Sequence, residues 1–404
     1  MSKVNKCPIT ENTDRVTYLD LGNMPIVNNL LNSRQESIDC NKYALAVQYF
    51  PKSKLSCLTE NIDSELMFSE YCYKSGVSKA YVEHCKEMYY FLHQYIGIDD
   101  NDSILDIGGN DGTLLKAFLE IQPKLDVLNI DASKNLTKLS EENGIPTINA
   151  YWGKEIAKKL SKKFKFITST NVFQHTPPIS DYVEAISISL DESGVWCLEF
   201  PYWKTNMETN QYDQIYHEHV YYYILQPLSI LLDKFGLRII DAIKYPIHGG
   251  SLRVLISHQG NALKQSDNVY ALLKEEEFMD EKYYVDWGNK IIDHISNCRN
   301  FLLALKRENK RIVGFGAAAK GCIFLNSAKI DDKIIDCVID DTDLKQGKYI
   351  PGVGIQILSR DYLKNNQVDY ILILAHNFKD VIIESLKKEY SGKFIVLFPE
   401  PQIL

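Results

Sequence analysis

The sequence predicts an α/β protein built from two Rossmann-like units, preceded by a small N-terminal module. Three observations carry this. SILDIGGNDGTLLKAFLE (103–120) reads as a strand, a glycine turn and a helix. Strand-like runs alternate with helical patterns from there to residue 201, the pattern of a parallel sheet. A second series of the same kind begins at RIVGFGAAAKG (311–321).

Taken in order, residues 1–66 form a mixed module with short strands in VTYLDL and YALAVQYF. Residues 67–262 form the central domain. It opens with a helical stretch over 67–100, followed by strands in SILDIGG, LDVLNIDAS, KFKFITSTNVFQH and GVWCLEFP. LRIIDAIKYPIHGGSLRVLISHQ reads as two further strands joined by a turn, suited to an antiparallel edge. Residues 263–404 form the C-terminal domain. A charged helical segment over 264–308 leads in, and EEEFMDE (275–281) within it reads as a solvated helix face. Strands follow in RIVGF, IIDCVIDDTD, DYILILAHNF and KFIVLFPEPQ.

With 404 residues, two or three domains and a sizeable core are expected. A net charge of −8 argues against a nucleic-acid binder that works by neutralising phosphates. No apolar run approaches a membrane span, and MSKVNKCPITENTDR has no apolar signal core. Nine dispersed cysteines read as reduced thiols, so a cytoplasmic protein is expected; a monomer or homodimer is expected.

The first glycine turn runs Asp106-Ile-Gly108-Gly109-Asn-Asp-Gly112 between a strand and a helix. Glycines there let a backbone approach a ligand at the helix N-terminus. The spacing differs from the dinucleotide pattern G-x-G-x-x-G and resembles the first motif of S-adenosylmethionine (SAM) methyltransferases. Asp131, ending the next strand, can accept hydrogen bonds from both ribose hydroxyls, and Asn171 ends a later strand at the same edge. A plain tight turn and a NAD site are the alternatives.

DQIYHEHVYYY (213–223) is the other informative stretch. The histidines of H-E-H are two residues apart and cannot share a helix face, unlike the zinc motif H-E-x-x-H. On one side of an extended loop they could still share a metal, so a metal site, a structural loop and an acid–base site all remain open. Histidine titrates near neutrality, and an adjacent carboxylate or phenol can orient it.

Ten stretches in order, among them LDLGNMPIVNNLL, YCYKSGVS, DIGGNDGTLL, EFPYW, QYDQIYHEH, HGGSLRV, GFGAAAKG and DDTDLKQGKYIPG, resemble the C-methyltransferases that act on nucleotide-linked 4-keto-deoxysugars. The resemblance runs over most of the chain. It implies SAM as cofactor, a dTDP- or UDP-linked sugar as substrate, and methylation of a carbon beside the keto group, typically C3. It makes His219 the base, supported by Tyr216 and Glu218. Tyr73 and Ser75 would join Asp106, Gly108, Gly109, Gly112, Asp131 and Asn171 around the cofactor. Tyr71, His175, Tyr202, His217 and Arg253 would face the sugar or its phosphates. Lys320, Asp341, Lys345, His376 and Asn377 of the last domain would hold the nucleotide.

The resemblance also implies a zinc-binding N-terminal module with two C-x-x-C pairs. Here they read Cys7-Pro-Ile-Thr10 and Phe50-Pro-Lys-Ser53, so three of the four ligands are missing. A metal-free module held by apolar packing is expected. O-methylation of a nucleotide sugar, an epimerase or binding protein on the same scaffold, and a NAD-dependent oxidoreductase are the rival readings.

Overall fold

The computed structural model describes residues 2–63, 67, 75–77 and 79–404. Its central sheet has seven strands in the order Leu237–Tyr245, Ser251–His258, Leu190–Pro201, Phe164–Thr170, Ser103–Ile107, Asp126–Asp131 and Thr147–Asn149. The last five are parallel to one another. The first two form the antiparallel edge that the sequence implies. The chain leaves Ser103–Ile107 toward Asp126–Asp131 on one side, then crosses to Phe164–Thr170 on the other. That reversal opens a crevice at the carboxyl ends of these strands, where open α/β sheets bind ligands.

The C-terminal sheet repeats the logic with six strands: Ile357–Leu358, Val338–Ile339, Ile312–Phe315, Tyr370–Ile373, Lys393–Val396 and Gln402–Ile403. Its reversal lies between Ile312–Phe315 and Tyr370–Ile373, so the GFGAAAKG turn faces the His376–Asn377 segment across a second crevice.

The N-terminal strands Val16–Pro25, Lys42–Phe50 and Leu55–Leu58 form an antiparallel sheet, completed by Tyr221–Tyr222 from the central segment. The HEH stretch therefore runs directly into the N-terminal module. Between the 264–308 expectation and the structure lie two differences. Helix Asp267–Glu276 packs on the edge strand Leu237–Tyr245 of the central sheet. Helix Glu281–Arg307 lies on strand Val16–Pro25, so closely that a Cβ on Gly288 would stand 1.7 Å from the Tyr18 carbonyl oxygen. Tyr49 stacks on Tyr284 at 4.2 Å and Trp203 meets Trp287 edge-on at 5.4 Å, which joins the module, helix and central domain in one core.

The reading of 275–281 as a solvated face holds for Glu275, Glu277, Phe278, Asp280 and Glu281 and is corrected for Glu276 and Met279. Glu276 is fully buried, and its carboxylate accepts from the Tyr202 hydroxyl at 2.8 Å and from the backbone N–H groups of Leu225 and Gln226 at 2.8 and 3.0 Å. It caps the start of helix Leu225–Asp233, whose first N–H groups have no partner within the helix.

No helix among the described residues is long and apolar enough to cross a membrane. Among the described residues no group of three or more His, Cys, Asp or Glu is placed to hold a metal. Cys7 and Ser53, at the two degenerate pair positions, instead share a buried hydrogen bond of 3.0 Å. Cys57 lies against Gln48.

Candidate active site

Each residue of the first glycine turn has a defined task. Asp106 is buried beneath the turn, where Thr168 donates to Oδ1 at 2.8 Å. Burial pushes its carboxyl up to about 7. It therefore braces the turn from below, with Oδ2 beneath Gly109. A Cβ on Gly109 would stand 2.3 Å from Asn129 Oδ1 and 2.5 Å from Asp106 Oδ2, so only glycine lets the loop sit flush on these side chains.

Asp131 ends its strand with each carboxylate oxygen taking one backbone N–H, from Asn110 at 2.9 Å and Ser133 at 2.8 Å. A carboxylate has about four acceptor positions, so each oxygen keeps capacity for a ribose hydroxyl. Asn171, in left-handed conformation at φ 53°, donates its N–H to the Glu199 carbonyl at 2.9 Å, turning the chain at the crevice edge. Ser75 donates its N–H to Asn110 Oδ1 at 3.1 Å, which lays residues 75–77 over the turn. The donor set fits SAM: a glycine turn at a helix start and an acid at the neighbouring strand end. The expectations for Tyr71 and Tyr73 lie outside the described residues.

The HEH loop brings together most of the predicted acid–base residues. His219 donates from Nδ1 to the Gln214 carbonyl at 2.9 Å, which leaves its Nε2 as acceptor, and the Tyr216 hydroxyl donates to that atom at 2.6 Å. Burial holds His219 well below the usual imidazole range, with His175 adding to the effect. His175 lies edge-on to it at 4.9 Å between ring centres and donates from Nδ1 to the Glu218 carbonyl at 2.7 Å. Burial brings His175 down to about 4. Tyr216 is raised well above 10, first by burial and then by the Glu218 charge, so it stays a hydroxyl donor.

Three residues missed by sequence reasoning complete this loop. Gln214 supplies the carbonyl that sets the His219 tautomer. Asp213 Oδ2 accepts from His376 Nε2 of the C-terminal domain at 2.8 Å. Asn28 of the N-terminal module donates to Glu218 Oε1 at 2.6 Å. Asp213 and Asn28 both fall in stretches that carry the family resemblance, but no local pattern marks their chemistry.

From the last domain, Lys320 sits at the start of helix Ala319–Ser327, and burial lowers it to about 8 against the opposing pull of Asp213. The side chain of Asn377 lies over the HGG turn, 2.6 Å from where a Gly249 Cβ would stand.

Other expectations are placed elsewhere. Arg253 is 1% exposed, ion-paired to Glu199 and to Glu87 at 2.8 Å, and its guanidinium lies over the Tyr245 ring at 4.1 Å. All its charge is spent within the fold, so it is not a phosphate ligand. Tyr202 is buried with its hydroxyl on Glu276, away from any crevice. His217 is buried edge-on to Tyr43 of the N-terminal module and joins module to loop. Asp341 forms a paired hydrogen bond with Arg360 at the surface, at 2.5 and 2.6 Å. Lys345 donates to the Ala317 carbonyl at 2.9 Å and so braces the GFGAAAKG turn.

Comparison with known proteins bears on the family. A methyltransferase-domain model matches residues 81–242, and a C-methyltransferase C-terminal-domain model matches residues 246–399. C-methyltransferase NovU of Streptomyces niveus is 27% identical over 409 residues, spanning 99% of this chain and 97% of its own. Two solved structures show local likeness. The plantazolicin methyltransferase BpumL in complex with SAH has 14% identity and a TM-score of 0.35, over 43% of this chain and 82% of that one. Magnesium protoporphyrin IX methyltransferase (ChlM) from Synechocystis PCC 6803 with bound SAH has 12% identity and a TM-score of 0.35, over 44% and 82%. The two domain models and the full-length relative together support a SAM-dependent C-methyltransferase.

Proposed function

We propose that the protein methylates a carbon, C3 by resemblance, beside the keto group of a nucleotide-linked 4-keto-6-deoxy sugar. The observation that carries this reading is the His219 imidazole, neutral through burial and tautomer-fixed by the Gln214 carbonyl. A carbon nucleophile requires removal of a C–H proton, and the keto group makes that proton acidic. His219 Nε2 takes the proton. Tyr216, a hydroxyl at all working pH values, turns its O–H from His219 to the enolate oxygen. SAM, which the first glycine turn and Asp131 would hold in the first crevice, would supply an electrophilic methyl group for the carbon nucleophile. Lys320 and the start of helix Ala319–Ser327 suit the diphosphate of the nucleotide, with His376 and Asn377 on the facing segment.

The test is mass spectrometry after incubation with SAM and a panel of dTDP- and UDP-linked 4-keto-6-deoxy sugars in D₂O. Gain of one methyl group, with an NMR shift of C–CH₃ and not O–CH₃, is expected. Deuterium uptake without a methyl would leave His219 as base but overturn the transfer. No change in any sugar would overturn the substrate class.

A further inference from the structure

We propose that Asn28 of the N-terminal module is a positioning residue of the active site, holding the Glu218 carboxylate in place beside Tyr216 and His219. The inference rests on the reading of the HEH loop as the acid–base site. Asn28 Nδ2 donates to Glu218 Oε1 at 2.6 Å across 190 residues of sequence. Glu218 is 2% exposed, whereas Asn28 itself is exposed. The donor thus sits at the open side of a buried carboxylate.

Asn28 is not a casual surface contact, because its backbone is held on both sides. Val27 is buried in the core, the Asn29 N–H donates to the Ile26 carbonyl at 3.2 Å, and Leu30 N–H donates to the Asn28 carbonyl at 3.1 Å. Three residues on, Leu31 bridges to Tyr349 of the C-terminal domain. The chain therefore delivers one amide group to one carboxylate oxygen. A hydrogen bond to the ionised form stabilises it and fixes its direction. The Glu218 charge acts on Tyr216, whose hydroxyl lies on His219. Asn28 acts through Glu218 on the phenol that addresses the base. On this account the module, bereft of its metal ligands, still contributes a side chain to the chemistry.

The test compares Asn28→Ala and Asn28→Asp with the wild type. Asp keeps the shape but replaces the donor with a like charge. Protein labelled with 13C at glutamate carboxyl groups, with Glu218 assigned through Glu218→Gln, reports its titration midpoint without any substrate. The midpoint should rise by about one pH unit in Asn28→Ala, the size expected for losing a charge-assisted bond, and further in Asn28→Asp. The melting temperature at neutral pH should fall only modestly in Asn28→Ala, because a one-unit rise in the folded midpoint corresponds to about 1.4 kcal/mol. With a methylated sugar in hand, kcat should fall about tenfold in Asn28→Ala with KM little changed. An unchanged Glu218 midpoint in both variants overturns the proposal, even if sugar methylation is found. A shifted midpoint in an enzyme that methylates no sugar upholds the contact and overturns only the substrate reading.

Discussion

Asp213 and His376 meet across the boundary between the central and C-terminal domains, with Nε2 donating to Oδ2 at 2.8 Å and Asp213 only 1% exposed. Burial alone would push the Asp213 carboxyl up, but His376 and Lys320 outweigh it and hold it below the usual range. Removing one partner of such a pair strands a buried charge, at a cost of about 3–5 kcal/mol. His376→Leu should lower stability by that order in urea denaturation, and His376→Leu combined with Asp213→Asn should recover part of it. Independent, additive effects would contradict the coupling.

Tyr216→Phe keeps the ring and removes the hydroxyl that donates to His219. We expect kcat to fall about 10–100-fold with SAM affinity unchanged. His219→Gln should cost about 10²–10⁴-fold, the range for a general base. Rates by mass spectrometry and SAM binding by calorimetry separate the two effects. Equal loss of SAM binding would mean that the loop supports the cofactor site instead.

Acid should weaken the fold through His175. Its folded pKa of about 4 lies below the usual 6.5. Between these values the unfolded chain binds the proton and the folded protein does not. The contribution is therefore complete above pH 6.5 and is lost as pH falls to about 4. His175→Gln should flatten stability against pH in that window, whatever its effect at neutral pH. Asp106 and Glu276, both raised to about 7, act with the opposite sign, so only the difference between variant and wild type isolates His175.

Arg253→Met should cost stability but not substrate affinity. The guanidinium is enclosed by Glu199, Glu87 and Tyr245, so its loss leaves the buried Glu199 with His84 at 2.7 Å but without its permanent counter-charge, at a cost of up to about 3–5 kcal/mol. KM for the nucleotide sugar should stay within about twofold of the wild type at a temperature where both are folded. A large rise in KM alone would return Arg253 to the phosphate site.

Treatment with EDTA should leave the melting temperature unchanged. The Cys7–Ser53 hydrogen bond occupies the position where the resemblance implies a metal, and the module is held by Tyr18, Tyr49, Tyr284 and Trp287 packing. A structural zinc would contribute folding energy directly and show itself by a large drop.

Both sheets were legible because their signals are local. A strand, a glycine turn and a helix stand within twenty residues at Asp106 and again at Gly314. His219, Tyr216 and Glu218 stand together in one short stretch, and their proposed roles come from the resemblance. What escaped was long-range. Nothing near Arg253 announces Glu87 and Glu199, so a buried ion pair read as a phosphate ligand. Glu276 sits in an acidic run that looks solvated, yet the start of helix Leu225–Asp233 draws it inside. Asn28 and Asp213 acquire their partners only when three segments of the chain converge.

The small helix Arg34–Asp39 has a consequence for how the molecule is made. Ser37 Oγ donates to the Ile350 carbonyl at 2.6 Å and accepts from the Gly354 N–H at 2.9 Å, while Arg34 Nη2 reaches Asp332 at 3.0 Å. These partners are more than 290 residues away in sequence. On the ribosome, helix Arg34–Asp39 must wait for more than 290 further residues before these partners emerge, at a synthesis rate of about 5–20 residues per second. During those tens of seconds the Ser37 hydroxyl and the Arg34 guanidinium are without their partners in the last domain. A nascent chain that stops short of residue 350 has a cofactor crevice but an unfinished active site.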